Sequence, residues 1–160
     1  MQEEYFPVSL DSMGANIEFL HFPEDQLHVE GASVRVIKHN HPGGVYSYRL
    51  QDIEGKVMVF CTDIEHGDDI DQRIIELARD ADLLIHDGQY TPEELSRFKG
   101  WGHSSWEQAV EVAKQANVKQ LVITHHDPDH NDDFLRDIEK QVQAQFPNAM
   151  LAREKMEIII

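Results

Sequence analysis

Three short apolar segments of this chain each run directly into residues that can bind a metal or transfer a proton. The segments and their polar ends are Val57–Thr62 with Asp63, Asp82–Ile85 with His86 and Asp87, and Leu121–Thr124 with His125 and His126. In layered α/β folds the carboxyl ends of neighbouring strands converge on one edge, where ligands bind. Histidine and aspartate collecting there predict a zinc, manganese or iron site with imidazole and carboxylate ligands.

The predicted secondary structure changes character halfway along the chain. Strands dominate the first half and helices alternate with strands in the second, which favours a mixed α/β layered domain. The predicted strands are Ile17–Phe22, Ser33–His39, Val45–Leu50, Lys56–Thr62, Asp82–Ile85, Gln120–Thr124 and Met156–Ile160. The predicted helices are a turn over Pro7–Gly14, Asp71–Asp80, one capped by Thr91 and Glu94, one capped by Ser104 and Glu107, and Asn131–Phe146. Without repeats or linkers, residues 1–160 are expected to form one domain.

Composition narrows the function. The chain carries 10 histidines and a formal net charge of −16, from 30 acidic and 14 basic residues. Such an acid excess repels polyanions, which argues against a nucleic acid partner. The single Cys61 excludes an internal disulfide and a cysteine-based zinc cluster. Met1–Glu4 lacks the layout of a signal peptide and no apolar run is long enough for a membrane span, which favours a cytoplasmic protein.

A further histidine, His103, lies in a glycine-flanked turn just before a capped helix. A histidine held in this way can be aimed at a substrate as a proton donor. Spacing alone leaves this reading and that of an exposed loop histidine equally open. The neighbouring Trp101 could cover the entrance of a site or simply pack elsewhere.

Together these motifs resemble the C-terminal half of the metallo-β-lactamase superfamily of metal-dependent hydrolases, in particular its phosphodiesterase and tRNA-maturing nuclease branch. The matching pieces, in the family's order, are His41 with Tyr48–Leu50, Thr62–Asp63, Ala81–Asp87, Gly102–Ser104 with Glu107–Ala109, and Leu121–His125. The resemblance implies one half of a four-layer αββα sandwich, with a mixed sheet and flanking helices.

The resemblance also assigns roles to five residues. His41 and His125 match metal-binding histidines, and Asp63 matches the carboxylate that bridges two metal ions. His103 matches the general acid, and Asp87 takes a supporting position behind the ligands. Two divalent ions are implied, zinc foremost, with manganese or iron as alternatives. Such a pair can share a nucleophilic hydroxide and stabilise an in-line displacement at phosphorus.

One motif of the family is missing. Its signature His-x-His-x-Asp-His does not occur, because His39-Asn40-His41 is followed by Pro42-Gly43-Gly44. We therefore interpret residues 1–160 as the C-terminal half of the domain, without its N-terminal half. The chain could be a fragment, one product of a split gene, or a remnant without activity. Such a half is expected to expose an apolar sheet face that binds a partner, either the missing half or a second copy.

The leading hypothesis is an enzyme: a metal-dependent hydrolase of phosphodiester or related phosphate-ester bonds. Its substrate is expected to be small or cyclic because the chain is so acidic. The activity of this chain alone is doubtful without the missing ligands. One alternative is an inactive fragment or interaction module that binds one metal weakly or none. Another is a lactone or thioester hydrolase on the same fold.

Several other residues have two interpretations at this point. His39 could replace His41 as the ligand if the register shifts. Residues 126–130 could form a second metal site but read better as a solvated acidic loop. His66 is expected on a surface loop, His86 in a structural role, and Cys61 as a buried, inert thiol.

Overall fold

The computed structural model of the protein describes residues 12–17 and 26–160. The strands in these ranges are β1 (Leu27–Val29), β2 (Ala32–His39), β3 (Val45–Gln51), β4 (Val57–Cys61), β5 (Leu83–Asp87), β6 (Leu121–Thr124) and β7 (Ala149–Leu151). The helices are α1 (Gln72–Ala78), α2 (Pro92–Leu95), α3 (Trp106–Gln115) and α4 (Asp132–Gln145). The predicted turn over Pro7–Gly14 and strand over Ile17–Phe22 lie largely outside the described residues.

The seven strands form one mixed sheet in the order of the chain. Strands β1 to β4 are antiparallel neighbours, and β4 to β7 are parallel neighbours. A short turn is enough to join antiparallel strands, whereas each parallel pair needs a longer crossover. The crossovers in the second half contain α1, α2, α3 and α4. This arrangement confirms the predicted mixed α/β class and places the carboxyl ends of β4, β5 and β6 on the same edge.

Capping boxes mark the starts of α2 and α3. Thr91 and Glu94 form a complete capping box at the start of α2. Helix α3 also begins with a capping box, but its members are Ser105 and Gln108. The predicted Ser104–Glu107 pair is therefore wrong by one residue. The Ser104 hydroxyl is used elsewhere, since it donates to the Ile64 carbonyl at 2.6 Å.

One face of the sheet is covered by helices and the other is largely open. On β4, Val59 and Cys61 are completely buried among residues of α1 and α3, whereas Phe60 between them is 39% exposed. Residues paired directly across neighbouring strands share a face. The pairings therefore define an apolar row on the open face, consisting of Val36, Tyr48, Phe60, Ile85 and Val122. Tyr48 and Phe60 are the exposed members of this row, whereas Val122 is buried, so the apolar sheet face that the sequence predicts is open over β3 and β4.

The last strand differs from the prediction. Strand β7 is Ala149–Leu151, paired in parallel with β6, and residues 156–160 have no regular secondary structure. Met156 and Ile158 instead line a cleft of about 370 Å³ over the open face, together with Phe60 and Val122. An apolar run at the chain end indicates burial but not which surface buries it. None of the described helices is long and apolar enough to cross a bilayer.

Candidate metal centre

The predicted site residues come from five segments that meet at the carboxyl edge of the sheet. Asp63 and His125 follow the ends of β4 and β6, and Asp87 is the last residue of β5. His41 lies in the β2–β3 loop, and His103 in the turn before α3. Parallel strands bring their carboxyl ends together, which is why residues distant in sequence become neighbours here.

Two of these residues have an unusual backbone conformation. The φ angles of Asp63 and His125 are 56° and 62°, in the left-handed region. Non-glycine residues are uncommon there, and such conformations cluster at functional sites. Each strand thus ends in a sharp change of direction that brings a polar side chain to the edge.

The side chains of the site lie within a few ångströms of one another. One ligand atom each from His41, Asp63 and His103 lies within 4.8 Å of the other two. His125 Nε2 is 3.7 Å from Asp63 Oδ1, and its ring stacks on that of His103 with centroids 4.7 Å apart. The side chains of Asp63 and His125 keep 34% and 38% of their surface exposed. Asp63 thus lies within reach of both His41 and His125, and His103 belongs to both groups of side chains with metal-compatible spacing.

Asp87 is buried behind this rim and is saturated with hydrogen bonds. Its carboxylate accepts the backbone N–H groups of Asp63 at 3.0 Å, Gln89 at 3.2 Å and Ser104 at 3.1 Å. It also accepts Nδ1–H of His103 at 2.9 Å. Although Asp87, His103 and His125 also have ligand atoms within 4.8 Å of one another, these bonds leave Asp87 little capacity for a metal. Its arrangement suits the orientation of Asp63 and His103 instead.

The bond to Asp87 also changes the acidity of His103. The hydrogen bond and the negative charge of Asp87 raise the pKa of His103 above its ordinary value, against a smaller opposing effect of burial. Because Nδ1 is the nitrogen that faces Asp87, Nε2 is free of this interaction. A histidine in this state is more often protonated near neutral pH than an unpaired one.

His41 is oriented by a glycine turn. Its Nδ1 lies 3.0 Å from the Gly102 carbonyl, which can only accept, so Nδ1 carries the proton and the Nε2 lone pair is available to a metal. A Cβ on Gly102 would lie 2.1 Å from the His41 ring, so glycine is required for this approach. His39, the alternative ligand, is 5% exposed and belongs to neither candidate metal group.

The sequence analysis did not identify Glu65, yet this residue connects two loops of the site through hydrogen bonds. Its two carboxylate oxygens accept the backbone N–H groups of Gly100 at 2.7 Å and Gly102 at 2.9 Å. Its own backbone N–H donates to the Asn40 carbonyl at 3.2 Å. Glu65 therefore connects the loop of His41 with the turn of His103. The two glycines around Trp101 were the available signal, because exposed backbone N–H groups in a tight turn need an acceptor.

Three histidines are buried behind the strand ends. His66 is 9% exposed and stacks on the fully buried His86 with centroids 5.3 Å apart, so its predicted place on a surface loop is wrong. Its Nδ1 accepts the N–H of Asp71, and burial lowers its pKa to about 3. Burial also lowers the pKa of His39 and of His86, whose Nδ1 donates to the Asp87 carbonyl. Such neutral imidazoles suit a structural role, as predicted for His86.

The acidic segment around Pro128 is engaged in local contacts. Glu94 receives His130 Nε2 at 3.0 Å, and Asp127 Oδ1 accepts the N–H of Asp129 at 2.9 Å. Over residues 26–160, the groups with metal-compatible spacing do not include these side chains. Cys61 is fully buried, and desolvation raises the pKa of its thiol to about 12, as expected for an inert cysteine.

Comparisons with known proteins identify a family for this chain. A family model described as the beta-lactamase superfamily domain matches residues 7–126. Ribonuclease Z from Prochlorococcus marinus (strain NATL2A) is 37% identical over 109 residues, which are 66% of this chain and 33% of that protein. Ribonuclease Z from Bacillus subtilis (strain 168) is 32% identical over 105 residues, with the same two shares. The chain thus spans about a third of the length of these curated relatives.

Solved structures show the same fold at lower sequence identity. The metallo-beta-lactamase fold protein YhfI from Bacillus subtilis superposes with a TM-score of 0.69 at 23% identity, over 84% of this chain and 52% of that one. Human tRNase Z, short form, gives a TM-score of 0.63 at 20% identity, over 83% and 46%. A diphosphatase from the PhnP family gives 0.64 at 20% identity, over 87% and 47%. Since the family model also covers most of the sequence, the chain belongs to the metallo-β-lactamase superfamily.

Proposed function

We propose that this chain is part of a metal-dependent hydrolase that cleaves phosphodiester bonds at a site for two divalent ions. His41, Asp63 and His125 are the proposed ligands, with zinc as the first candidate and manganese or iron as alternatives. The observation that carries the proposal is the position of Asp63, which has a ligand atom within 4.8 Å of one on His41 and lies 3.7 Å from His125 Nε2. The three proposed ligands come from three separate segments of the chain.

The donor set suits such ions. His41 presents an Nε2 lone pair, because its Nδ1–H is held by the Gly102 carbonyl. The Asp63 carboxylate is 34% exposed and accepts no hydrogen bond from the described residues, and His125 Nε2 lies 3.7 Å from its Oδ1, so both oxygens would be available as metal ligands. When bound, two divalent ions activate water and neutralise charge on a phosphate group.

His103 is the proposed general acid. It would give a proton from Nε2 to the departing oxygen, while Asp87 holds Nδ1–H and fixes the ring. The raised pKa of His103 favours the protonated form that a proton donor needs. Asp87 would act through His103 and through the backbone of Asp63, without contact to the substrate.

The relatives bear on the substrate class. Both curated relatives described above are named ribonuclease Z, and the name points to RNA. The net charge of −16 pointed instead to a small phosphodiester. We take RNA as the substrate class, since bound cations would offset the acidic field locally at the rim. The predicted cytoplasmic location remains a prediction.

The remaining ligands are proposed to come from outside this sequence. A His-x-His-x-Asp-His segment is absent from the 160 residues, and the chain spans about a third of its curated relatives. We propose that residues 1–160 act as the C-terminal half of a domain whose other half covers the open sheet face. The apolar row through Tyr48 and Phe60 is the surface this half would bury. A second copy of the chain is the alternative partner.

The test combines the chain with a segment that carries His-x-His-x-Asp-His, encoded in frame or added as a separate chain. Loaded with Zn²⁺ or Mn²⁺, this assembly is expected to hydrolyse bis-p-nitrophenyl phosphate. Asp63→Ala is expected to remove turnover and bound metal together. Asp69→Ala, a change at an exposed aspartate in the loop after β4, is the matched control and should leave both unchanged. Turnover that is absent, or indifferent to Asp63→Ala, would refute the proposal.

The missing signature also supports a second candidate, a module that binds a partner without catalysis. Metal analysis of the chain alone separates the two. Two tightly held equivalents per chain would exclude the module. One weakly held equivalent or none, together with no turnover in the completed assembly, would favour it.

A further inference from the structure

The two tryptophans of the chain have opposite environments. Trp106 is 5% exposed and belongs to the core beside α3, whereas Trp101 is 62% exposed. Trp101 lies one residue from Gly102, whose carbonyl holds His41, and two residues from His103. Core packing accounts for Trp106, whereas Trp101 keeps most of its surface in water next to the candidate site.

Trp101 is exposed but firmly held. Gly100 and Gly102 on either side have φ angles of 89° and 93°, and Glu65 accepts the N–H groups of both. The backbone N–H of Trp101 donates to the backbone carbonyl of Phe98 at 3.1 Å. Its ring meets that of Phe98 edge-on, with centroids 5.3 Å apart. The exposed indole is therefore preorganised, so binding to it costs little conformational entropy.

The aromatic contacts continue inward from Trp101 to the proposed general acid. Phe98 stacks on Tyr90 with centroids 4.7 Å apart, and Tyr90 meets His103 edge-on at 6.1 Å. The segment 96–103 that carries them contains Arg97 and Lys99 but no carboxylate, in a chain with 30 acidic residues. Within the ranges that the structure describes, the Arg97 guanidinium is exposed and has no ion-pair partner. Lys99 is paired with Asp68 at 2.6 Å, so Arg97 is the cation of this segment that is available to a phosphate group.

We infer that Trp101 is a stacking platform for an unpaired nucleobase of single-stranded RNA, beside the phosphate that is cleaved. The inference rests on the proposed function. Proteins that bind single strands commonly stack bases on aromatic side chains, and such contacts are tolerant of sequence. Stacking also solves a problem of this chain, because its acid excess leaves few phosphate contacts to provide affinity.

The inference is tested with the 160-residue chain and a fluorescein-labelled oligouridylate of five nucleotides, whose bases are little stacked on one another. Fluorescence anisotropy gives the affinity of the wild type, Trp101→Ala and Trp101→Phe. Trp101→Ala is expected to weaken binding by about tenfold or more, and Trp101→Phe to restore most of it. Tyr46→Ala, which removes another exposed aromatic ring (49%), is the matched control and should bind like the wild type. Far-UV circular dichroism checks the fold of each variant.

Two further readouts make the test specific to a base. Unlabelled RNA should quench tryptophan emission in the wild type but leave the Trp106 emission of Trp101→Ala unchanged. An abasic ribose-phosphate oligomer should bind the wild type and Trp101→Ala equally. Equal oligouridylate affinity of wild type and Trp101→Ala, or a Trp101 effect that persists with the abasic oligomer, would overturn the inference. Turnover of bis-p-nitrophenyl phosphate decides the proposed function separately, since this assay measures binding and not turnover.

Discussion

The ends of two neighbouring parallel strands carry the same residue type in opposite states. Asp63 follows β4 in a left-handed conformation, with its carboxylate 34% exposed. Asp87 ends β5, is fully buried, and accepts four hydrogen bonds. An exposed carboxylate without committed donors is suited to cations, whereas a saturated one is suited to holding its neighbours. In the proposed site, Asp63 would therefore bind the ions, and Asp87 would position Asp63 and His103.

The difference extends to the histidines beside each aspartate. His125, next to Asp63, is exposed on the rim, while His86, next to Asp87 in sequence, is fully buried and stacked on His66. The β4 and β6 ends thus face solvent, and the β5 end is closed beneath them. An edge of this kind can bind ions without letting water into the support behind it.

The largest expected effect comes from removal of the buried carboxylate. Asp87→Ala leaves three backbone N–H groups and His103 Nδ1–H without their acceptor in the interior. We expect the free energy of unfolding to fall by about 3–5 kcal/mol. Asp63→Ala should lower it by less than about 1 kcal/mol, since that carboxylate is exposed. Urea denaturation measures both, and equal losses would show that the two carboxylates do not differ in how far the fold depends on them.

The next prediction concerns pH. His66 is neutral when folded because its pKa is lowered from 6.5 to about 3. The unfolded chain therefore binds a proton that the folded chain does not, and stability should fall as pH drops from 6.5 towards 3. His66→Asn, whose amide oxygen can replace Nδ1 as acceptor, should reduce this slope by about 1.4 kcal/mol per pH unit.

Urea denaturation between these pH values measures the slope. His28→Asn, a change at an exposed histidine, is the control and should leave the wild-type slope intact. A His66→Asn slope indistinguishable from that of the wild type would mean that the β5 end is open to water in solution.

A smaller effect is expected at Asp63 itself. Asp63→Gly removes the Cβ that makes a φ of 56° costly, so it should stabilise the fold by about 1 kcal/mol while it abolishes metal binding. Asp63→Ala loses the same carboxylate but keeps the Cβ, and should bind no metal without gaining stability. Thermal melting and zinc titration together check this. Zinc binding retained by Asp63→Gly would show that Asp63 is not a ligand.

The last prediction is that the Cys61 thiol of the native chain does not react with a thiol reagent. Cys61 pairs with His86 between the two strand ends and is fully buried, with its thiol pKa raised to about 12. The native chain should react with 5,5′-dithiobis(2-nitrobenzoate) only as fast as it unfolds. Asp87→Ala should accelerate the reaction and Asp63→Ala should not. Rapid modification of the native wild type would show that the region between the two ends is open.

Much of the fold followed from local patterns. The apolar runs of β4, β5 and β6 and the capping box at Thr91 predicted their elements correctly, because continuous apolar runs and helix capping leave strong signals in adjacent residues. The short β1 and the parallel β7 were missed. Their residues become strands only by pairing with β2 and β6, and such pairing is not visible in a short window.

Candidate residues of the site followed from the sequence, whereas the contacts that support them did not. The polar residues after apolar strands identified Asp63, Asp87 and His125 as candidates. Glu65 escaped notice because its partners Gly100 and Gly102 lie more than 30 residues away in sequence. His66 was misplaced because a histidine between Glu65 and Gly67 resembles a loop residue until its stacking partner on β5 is known.

The sequence by itself determined which chemical groups stand at the strand ends and that the strands would bring them to one edge, because apolar periodicity and chain order are local properties. Only the tertiary structure decided that Asp63 faces solvent while Asp87 is enclosed. That difference depends on the turn around His103 and the start of α3 closing over β5, where Ser104 bonds both Asp87 and the carbonyl of Ile64. Contacts between residues distant in sequence set how exposed a carboxylate is and how many hydrogen bonds it accepts. These two properties decide whether a carboxylate is available to bind an ion.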